Sequence, residues 1–220
     1  MGYKMIKNWE REPKEPLREK ISGMLGHKTP LKEKIAMCTY RLKTQKAKIA
    51  ESSARMEQRD RDFFNKCVAA QMAKDSARAA MYANECAEVR KMAKTTLRCE
   101  LALEQITLRL ETVEQFGDLA TTMGPVVGVV QAIKNQIQGI MPQVSYELGM
   151  IGETLNGMVI EVGEATGTGY DISASSGEAQ KILTEANAIA EQRMKERFPE
   201  LPAAAPAIPT APSEQTGLPR

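Results

Sequence analysis

SARAAMYANECAEVRKMAKTTLRCELALEQITLRLETV, residues 76–113, is the stretch whose reading decides the fold. Counted in sevens, Tyr82, Val89, Thr96, Leu103 and Leu110 form one column, and Glu85, Met92, Cys99, Ile106 and Val113 form a second, offset by three. Two such columns share a face only on an α-helix, so the spacing predicts a rod with one apolar seam. At a rise of about 1.5 Å per residue that rod is roughly 60 Å long. Its seam needs a partner of similar length.

The partner lies just upstream, where Ile35, Leu42, Ile49, Met56, Phe63 and Ala70 recur at the same interval with Leu31 leading in. Between the two, Met72-Ala73-Lys74-Asp75-Ser76 is a polar break in which Asp75 or Ser76 can cap the second helix and turn the chain back. The expected fold is all-α: a long antiparallel helical hairpin over residues 29–117, turning near 72–76, then shorter amphipathic helices and a Pro-rich disordered tail.

Composition agrees with an elongated shape. Of 220 residues 42% are hydrophobic but only 5% aromatic, and 13 are methionine, which suits thin seams with adaptable contacts better than a globular core. Cys38, Cys67, Cys86 and Cys99 form no CxxC pair and lie far from His27, the single histidine. Buried reduced thiols are therefore expected, with no metal and no cofactor. With one histidine and no Ser/His/Asp or Cys/His grouping, catalysis is not expected either. Met1 to Arg11 alternates charge with isolated apolar residues, unlike a secretory leader. The longest uncharged run, Leu119 to Ile133, is broken by Gly124-Pro125 and is too short to span a bilayer, so the expected location is cytoplasmic with at most peripheral membrane contact.

The net charge of +2 hides an asymmetry. Residues 1–50 carry 13 Lys or Arg against 5 acids, whereas residues 118–180 carry Lys134 alone against 7 acids. The two parts should attract, and the acidic part could cover the basic one. On the first helix Lys34, Arg41, Lys48 and Arg55 fall seven apart, thickened by Lys32, Lys43 and Lys46, and Glu33 is the only acid between Lys32 and Lys48. A strip of one sign along a rod implies an extended anionic partner, a lipid surface or a nucleic acid, while the plain alternative is a solvated face. Nucleic acid is the less favoured anion because aromatic interleaving for base stacking is missing.

The remaining chain divides by composition. Residues 1–28 mix Lys4, Lys7 and Trp9 with apolar Met5 and Ile6, and read equally as a membrane-surface segment or a disordered tail. Residues 118–177 are acidic and Gly-rich, read as short helices with flexible joints and a linker up to Gly177. Residues 178–198 return to amphipathic helix. From 198 to 220 proline dominates, and Phe198, Leu201 and Ile208 stand beside prolines on an extended ribbon suited to a groove between helices.

A basic helical hairpin, acidic short helices and a terminal partner segment resemble the ESCRT-III family, in particular its archaeal cell-division CdvB branch. The local likeness is carried by Arg78-Ala-Ala-Met-Tyr-Ala-Asn-Glu-Cys-Ala-Glu-Val-Arg-Lys-Met92 and by Leu101-Ala-Leu-Glu-Gln-Ile-Thr-Leu-Arg-Leu-Glu-Thr-Val113. In the tail, Phe198-Pro199-Glu-Leu201-Pro202, with Pro206, Ile208 and Pro209, looks like the proline-type motif by which such proteins bind MIT domains. The family's helical MIT-binding motif fits only at Arg193-Met194, since Asn187 stands where an acid and Ala190 where a leucine would be. The chain also ends in this polar tail instead of the winged-helix-like segment that some relatives use to contact the recruiting protein CdvA.

The resemblance implies a subunit that polymerises with itself or with paralogous subunits on the inner face of the cell membrane at the division site. It would bend or constrict the membrane and be remodelled by a CdvC-like AAA ATPase carrying an MIT domain. Lys4, Lys7, Trp9, Lys32, Lys34, Arg41, Lys43, Lys46, Lys48 and Arg55 would face the lipid. The alternative is a nucleic-acid-binding or adaptor coiled-coil protein without membrane-remodelling activity.

Overall fold

The computed structural model describes residues 30–116, 119–166 and 172–200. All described elements are helices: α1 Leu31–Met72, α2 Ser76–Phe116, α3 Leu119–Ile137, α4 Pro142–Thr166 and α5 Ile172–Arg197. The all-α expectation holds, with α1 and α2 forming the hairpin.

Local chemistry sets the ends of its arms. Pro30 precedes α1, and its carbonyl accepts from the amides of Glu33 at 2.9 Å and Lys34 at 3.2 Å. At the turn Lys74 takes a left-handed φ of 58°, and Asp75 Oδ1 accepts from the Arg78 amide at 3.0 Å, so Asp75 caps α2. Partners descend α2 as they climb α1: Lys43 meets Glu111, Met56 meets Thr96, Asp60 meets Arg90, and Cys67 meets Ala79. That register is the antiparallel return expected from the heptads.

The seam differs from the expected columns near the turn. Glu85 is exposed and Met92 only half-buried, while Cys86, Val89 and Ala93 are buried. A straight helix drifts against a strict seven-residue count, and a seam of small residues there lets the arms approach closely. Several seam positions are polar: Gln45, Ser52 and Thr96 are buried, and the Thr96 hydroxyl donates back to the Met92 carbonyl at 3.0 Å.

α3 and α4 form a second, shorter hairpin laid against the base of the first. Their turn is held where the Ile137 carbonyl accepts from the amides of Ile140 and Met141, and Ser145 Oγ donates to the Lys134 carbonyl at 2.9 Å. The main core draws on all five helices, including Leu42, Ile49, Leu103, Ile106, Leu110, Ile133, Leu148, Ile151, Leu155 and Ile182. Each fully buried aliphatic side chain of this kind contributes about 1.5–3 kcal/mol. Beyond Arg90 the hairpin continues without that support, and Cys67, Ala70 and Ala79 form a small separate cluster with Tyr82 and Ala83 packed on it.

Two expectations for the Gly-rich region are corrected. α3 runs through Pro125 where Gly124-Pro125 suggests a break, because Val126, Val129, Val130 and Ile133 are all buried and the packed face outweighs one lost backbone hydrogen bond. α5 begins at Ile172, so Gly177 lies inside a helix instead of ending a linker. Gly177 and Gly157 have open space where a Cβ would be, whereas at Gly128 a Cβ would stand 3.1 Å from that of Ala179. Gly157→Ala is therefore expected to raise stability by about 0.5–1 kcal/mol in urea denaturation. Gly128→Ala should lose that gain, because α3 and α5 touch there.

All four cysteines are buried and unpaired. Burial pushes the Cys99 thiol up to about 12 and, with the Asp60 carboxylate adding to it, Cys86 up to about 11; Cys38 is raised by burial too. Packing keeps all four thiols out of the reagent's reach, so iodoacetamide at pH 8 should label none of them quickly before unfolding. Rapid labelling of any one, located by mass spectrometry, would contradict the packing.

Candidate functional site

Two surfaces carry the residues expected to matter. The first is the flank of α1. Heptad spacing gathers its cations, but neighbouring helices divide them. On the α4 side, Lys34 Nζ lies 2.7 Å from Glu161 Oε2 and Arg41 Nη2 lies 3.1 Å from Glu147 Oε2. On the α2 side, Lys43 pairs with Glu111 and Lys46 Nζ lies 3.7 Å from Glu104. Arg55 pairs along its own helix with Glu51, while Lys32 and Lys48 are exposed and make no ion pair among the described residues. Lys4, Lys7 and Trp9 lie outside the described residues.

The expected single strip is thus an exposed remainder flanked by two neutralised edges. The acids of α4 occupy the cations that an anionic surface would have to reach. Beside Lys32 and Lys48 the outer face of α1 exposes Met37 and Tyr40, and that of α4 exposes Tyr146 and Met150.

The second surface is where α5 ends on the hairpin. α5 packs with a mostly small-residue face, Ala179, Ile182, Ala186 and Ala190, and is flanked by ion pairs: Arg109–Glu178 at 3.3 Å, Lys94–Glu191 at 2.9 Å, and Arg197 with Glu57. Hydrogen bonds from Lys94 and Asn187 hold Glu191 below the ordinary carboxylate value. Burial raises Glu100, with Arg197 and Arg193 opposing. The Glu191 contacts are complete above the ordinary glutamate range and are lost as pH falls through the lowered value.

At its end α5 meets a group that heptad reasoning missed. Asp60, with a side chain 1% exposed, is held by Arg90, whose Nε donates to Oδ1 at 2.6 Å and Nη2 to Oδ2 at 3.0 Å. Asp60 reads in the sequence as one charge in a mixed run, yet it stands opposite Arg90 once the hairpin register is counted from the turn. Phe198 seats against the same arginine, its ring centroid 5.6 Å from the guanidinium carbon, and is buried. The Phe198 amide still donates to the Met194 carbonyl at 3.0 Å, which ties Phe198 to the last turn of α5. Pro199 is exposed, whereas Leu201, Pro202, Pro206, Ile208 and Pro209 lie outside the described residues.

Among the described residues no group of three or more His, Cys, Asp or Glu is placed to hold a metal ion, and no helix is long and apolar enough to cross a membrane. The arrangement is one of contact surfaces held by charge.

Two proteins of Sulfolobus acidocaldarius are similar to the chain. Cell division protein B1 is 47% identical over 177 residues, which span 80% of this chain and 83% of that protein. Cell division protein B is 33% identical over 168 residues, 76% of this chain and 64% of that protein. No protein-family model and no solved structure matches.

Proposed function

The chain belongs to the family of these two archaeal cell division proteins, the CdvB-like branch of ESCRT-III, and from that membership we propose that it is a non-catalytic, filament-forming subunit of the division machinery. It assembles on the cytoplasmic face of the cell membrane with copies of itself or paralogous subunits, and remodels or constricts the membrane. An AAA ATPase with an MIT domain, engaging the tail from Phe198 to Pro209, takes the assembly apart.

The observation that carries this reading is the pairing of α1 cations with α4 acids. Lys34 and Arg41 are neutralised by Glu161 and Glu147 in the packed chain, while Lys32 and Lys48 on the same helix stay exposed. Moving α4 aside would restore a run of cations on one rod, each contributing about 1 kcal/mol at an anionic membrane surface. A subunit that is quiet when packed and adhesive when opened can be stored and then recruited.

The test is co-sedimentation with liposomes of increasing anionic-lipid fraction, electron microscopy of the pellet, and one arm with competing DNA. Filaments on anionic liposomes that persist with DNA are the expected result. Transfer of the protein to DNA, or no assembly even after removal of residues 118–220, would overturn the proposal in favour of a nucleic-acid binder or an adaptor.

A further inference from the structure

A near-repeat in the sequence has its second copy at the start of α1. Pro16-Leu-Arg-Glu-Lys-Ile21 matches Pro30-Leu-Lys-Glu-Lys-Ile35, fourteen residues further on. In the second copy the Pro30 carbonyl accepts from the Glu33 and Lys34 amides, Leu31 packs against the core, and Ile35 is buried. The first copy lies outside the described residues, but its spacing puts Leu17, Ile21, Met24 and Leu25 on one helical face with Arg18 and Lys20 flanking it. That face needs a cover within reach of Pro30. One stands beside the start of α1. Lys34–Glu161 and Arg41–Glu147 tie α1 to an antiparallel α4, so Met37 and Met150, each about one turn from the second pair, come level with each other, 60% and 42% exposed. Tyr40 and Tyr146, next in sequence to Arg41 and Glu147, are exposed as well.

We propose that residues 16–28 fold back as a helix on this patch, laying Leu17 and Ile21 across the line between α1 and α4. Length agrees: the stretch from Leu17 to Leu25 makes about 13 Å of helix at about 1.5 Å per residue, the same run that α1 covers from Leu31 to Tyr40. Gly26 can end such a helix, and Gly26 to Thr29 is long enough to turn it into α1. Charge agrees too. Residues 16–28 hold Arg18, Lys20 and Lys28 against Glu19 alone, while α4 holds four Glu and no Lys or Arg. Of those acids, Glu153 and Glu164 are exposed and make no ion pair among the described residues. The short tether sets a local concentration on the order of millimolar, so the patch meets this segment before it meets a second copy. A helix seated there covers the Lys34–Glu161 and Arg41–Glu147 pairs from outside and braces α4 on α1.

The test is peroxide footprinting of the full chain against a full chain carrying Leu17→Asp and Ile21→Asp, with methionine sulfoxide located by mass spectrometry. A segment docked about nine-tenths of the time leaves the patch open for about a tenth, so Met37 and Met150 are expected to oxidise roughly tenfold more slowly in the native chain than in the variant. Met72, 81% exposed at the hairpin turn, should oxidise equally in both. A second measurement does not depend on that variant. Because the four native cysteines are buried, Ile21→Cys can be paired with Met37→Cys or with Lys32→Cys and joined by a short bismaleimide. Lys32 is nearer the tether, but it stands two residues from Lys34 and so on the other side of α1 from α4. Cross-links within one chain that favour position 37 over position 32 are expected. Equal oxidation in the two chains, or no preference between the two positions, would overturn the docking. Cross-links formed only between chains would assign the patch to a second copy and overturn it as well.

Discussion

Arg90→Met is expected to destabilise the protein by about 3–5 kcal/mol, the usual cost of stranding one member of a buried ion pair. Asp60 is 1% exposed in its side chain, and both its oxygens are taken by the same guanidinium. Without that guanidinium the carboxylate must remain charged in the seam, take up a proton, or pull the arms apart to reach water. Adding Asp60→Asn to the same chain should restore much of the loss, because the stranded charge disappears. Urea denaturation of the two single variants and the double variant measures the coupling. A loss below about 1 kcal/mol, the range of an exposed pair, would mean that water reaches Asp60 and that the seam is open there.

Glu147→Gln combined with Glu161→Gln is expected to strengthen binding to anionic liposomes by about thirtyfold. The estimate follows from freeing two cations, Arg41 and Lys34, at about 1 kcal/mol each near the surface. Both pairs are partly exposed, so stability should change by less than about 1 kcal/mol per pair. The two effects separate cleanly: membrane affinity moves while the denaturation curve barely shifts. The gain should shrink as salt rises, since the screening length drops to about 3 Å near 1 M. Glu104→Gln with Glu111→Gln, which frees Lys46 and Lys43 on the α2 side, identifies the face that meets lipid. Unchanged binding in the α4 variant would show that α4 does not mask the strip.

The hairpin could be read from the chain because its signal is local and repetitive. Leu103, Ile106 and Leu110 recur at helical spacing, and Asp75 marks the turn without reference to any distant residue. The acidic segment was legible only as an attraction. Charge counting says that residues 118–180 should approach residues 1–50, but it does not say that Glu147 reaches Arg41 or that Glu161 reaches Lys34. Asp60 and Phe198 were legible least, since one looks like a surface acid and the other like the start of an extended ribbon.

What the linear chain settled is its helices and the hairpin they make: periodicity acts over a few residues, and the apolar columns of α1 and α2 have the same interval and length. Folding in three dimensions settled which cations stay open and which acid is buried. Those outcomes depend on contacts such as Lys34 with Glu161 and Arg90 with Pro199, between residues more than a hundred positions apart. Such pairs are chosen by how α4 and α5 pack on the hairpin. That packing is governed by close approaches like Gly128 to Ala179, which leave no periodic mark in the sequence.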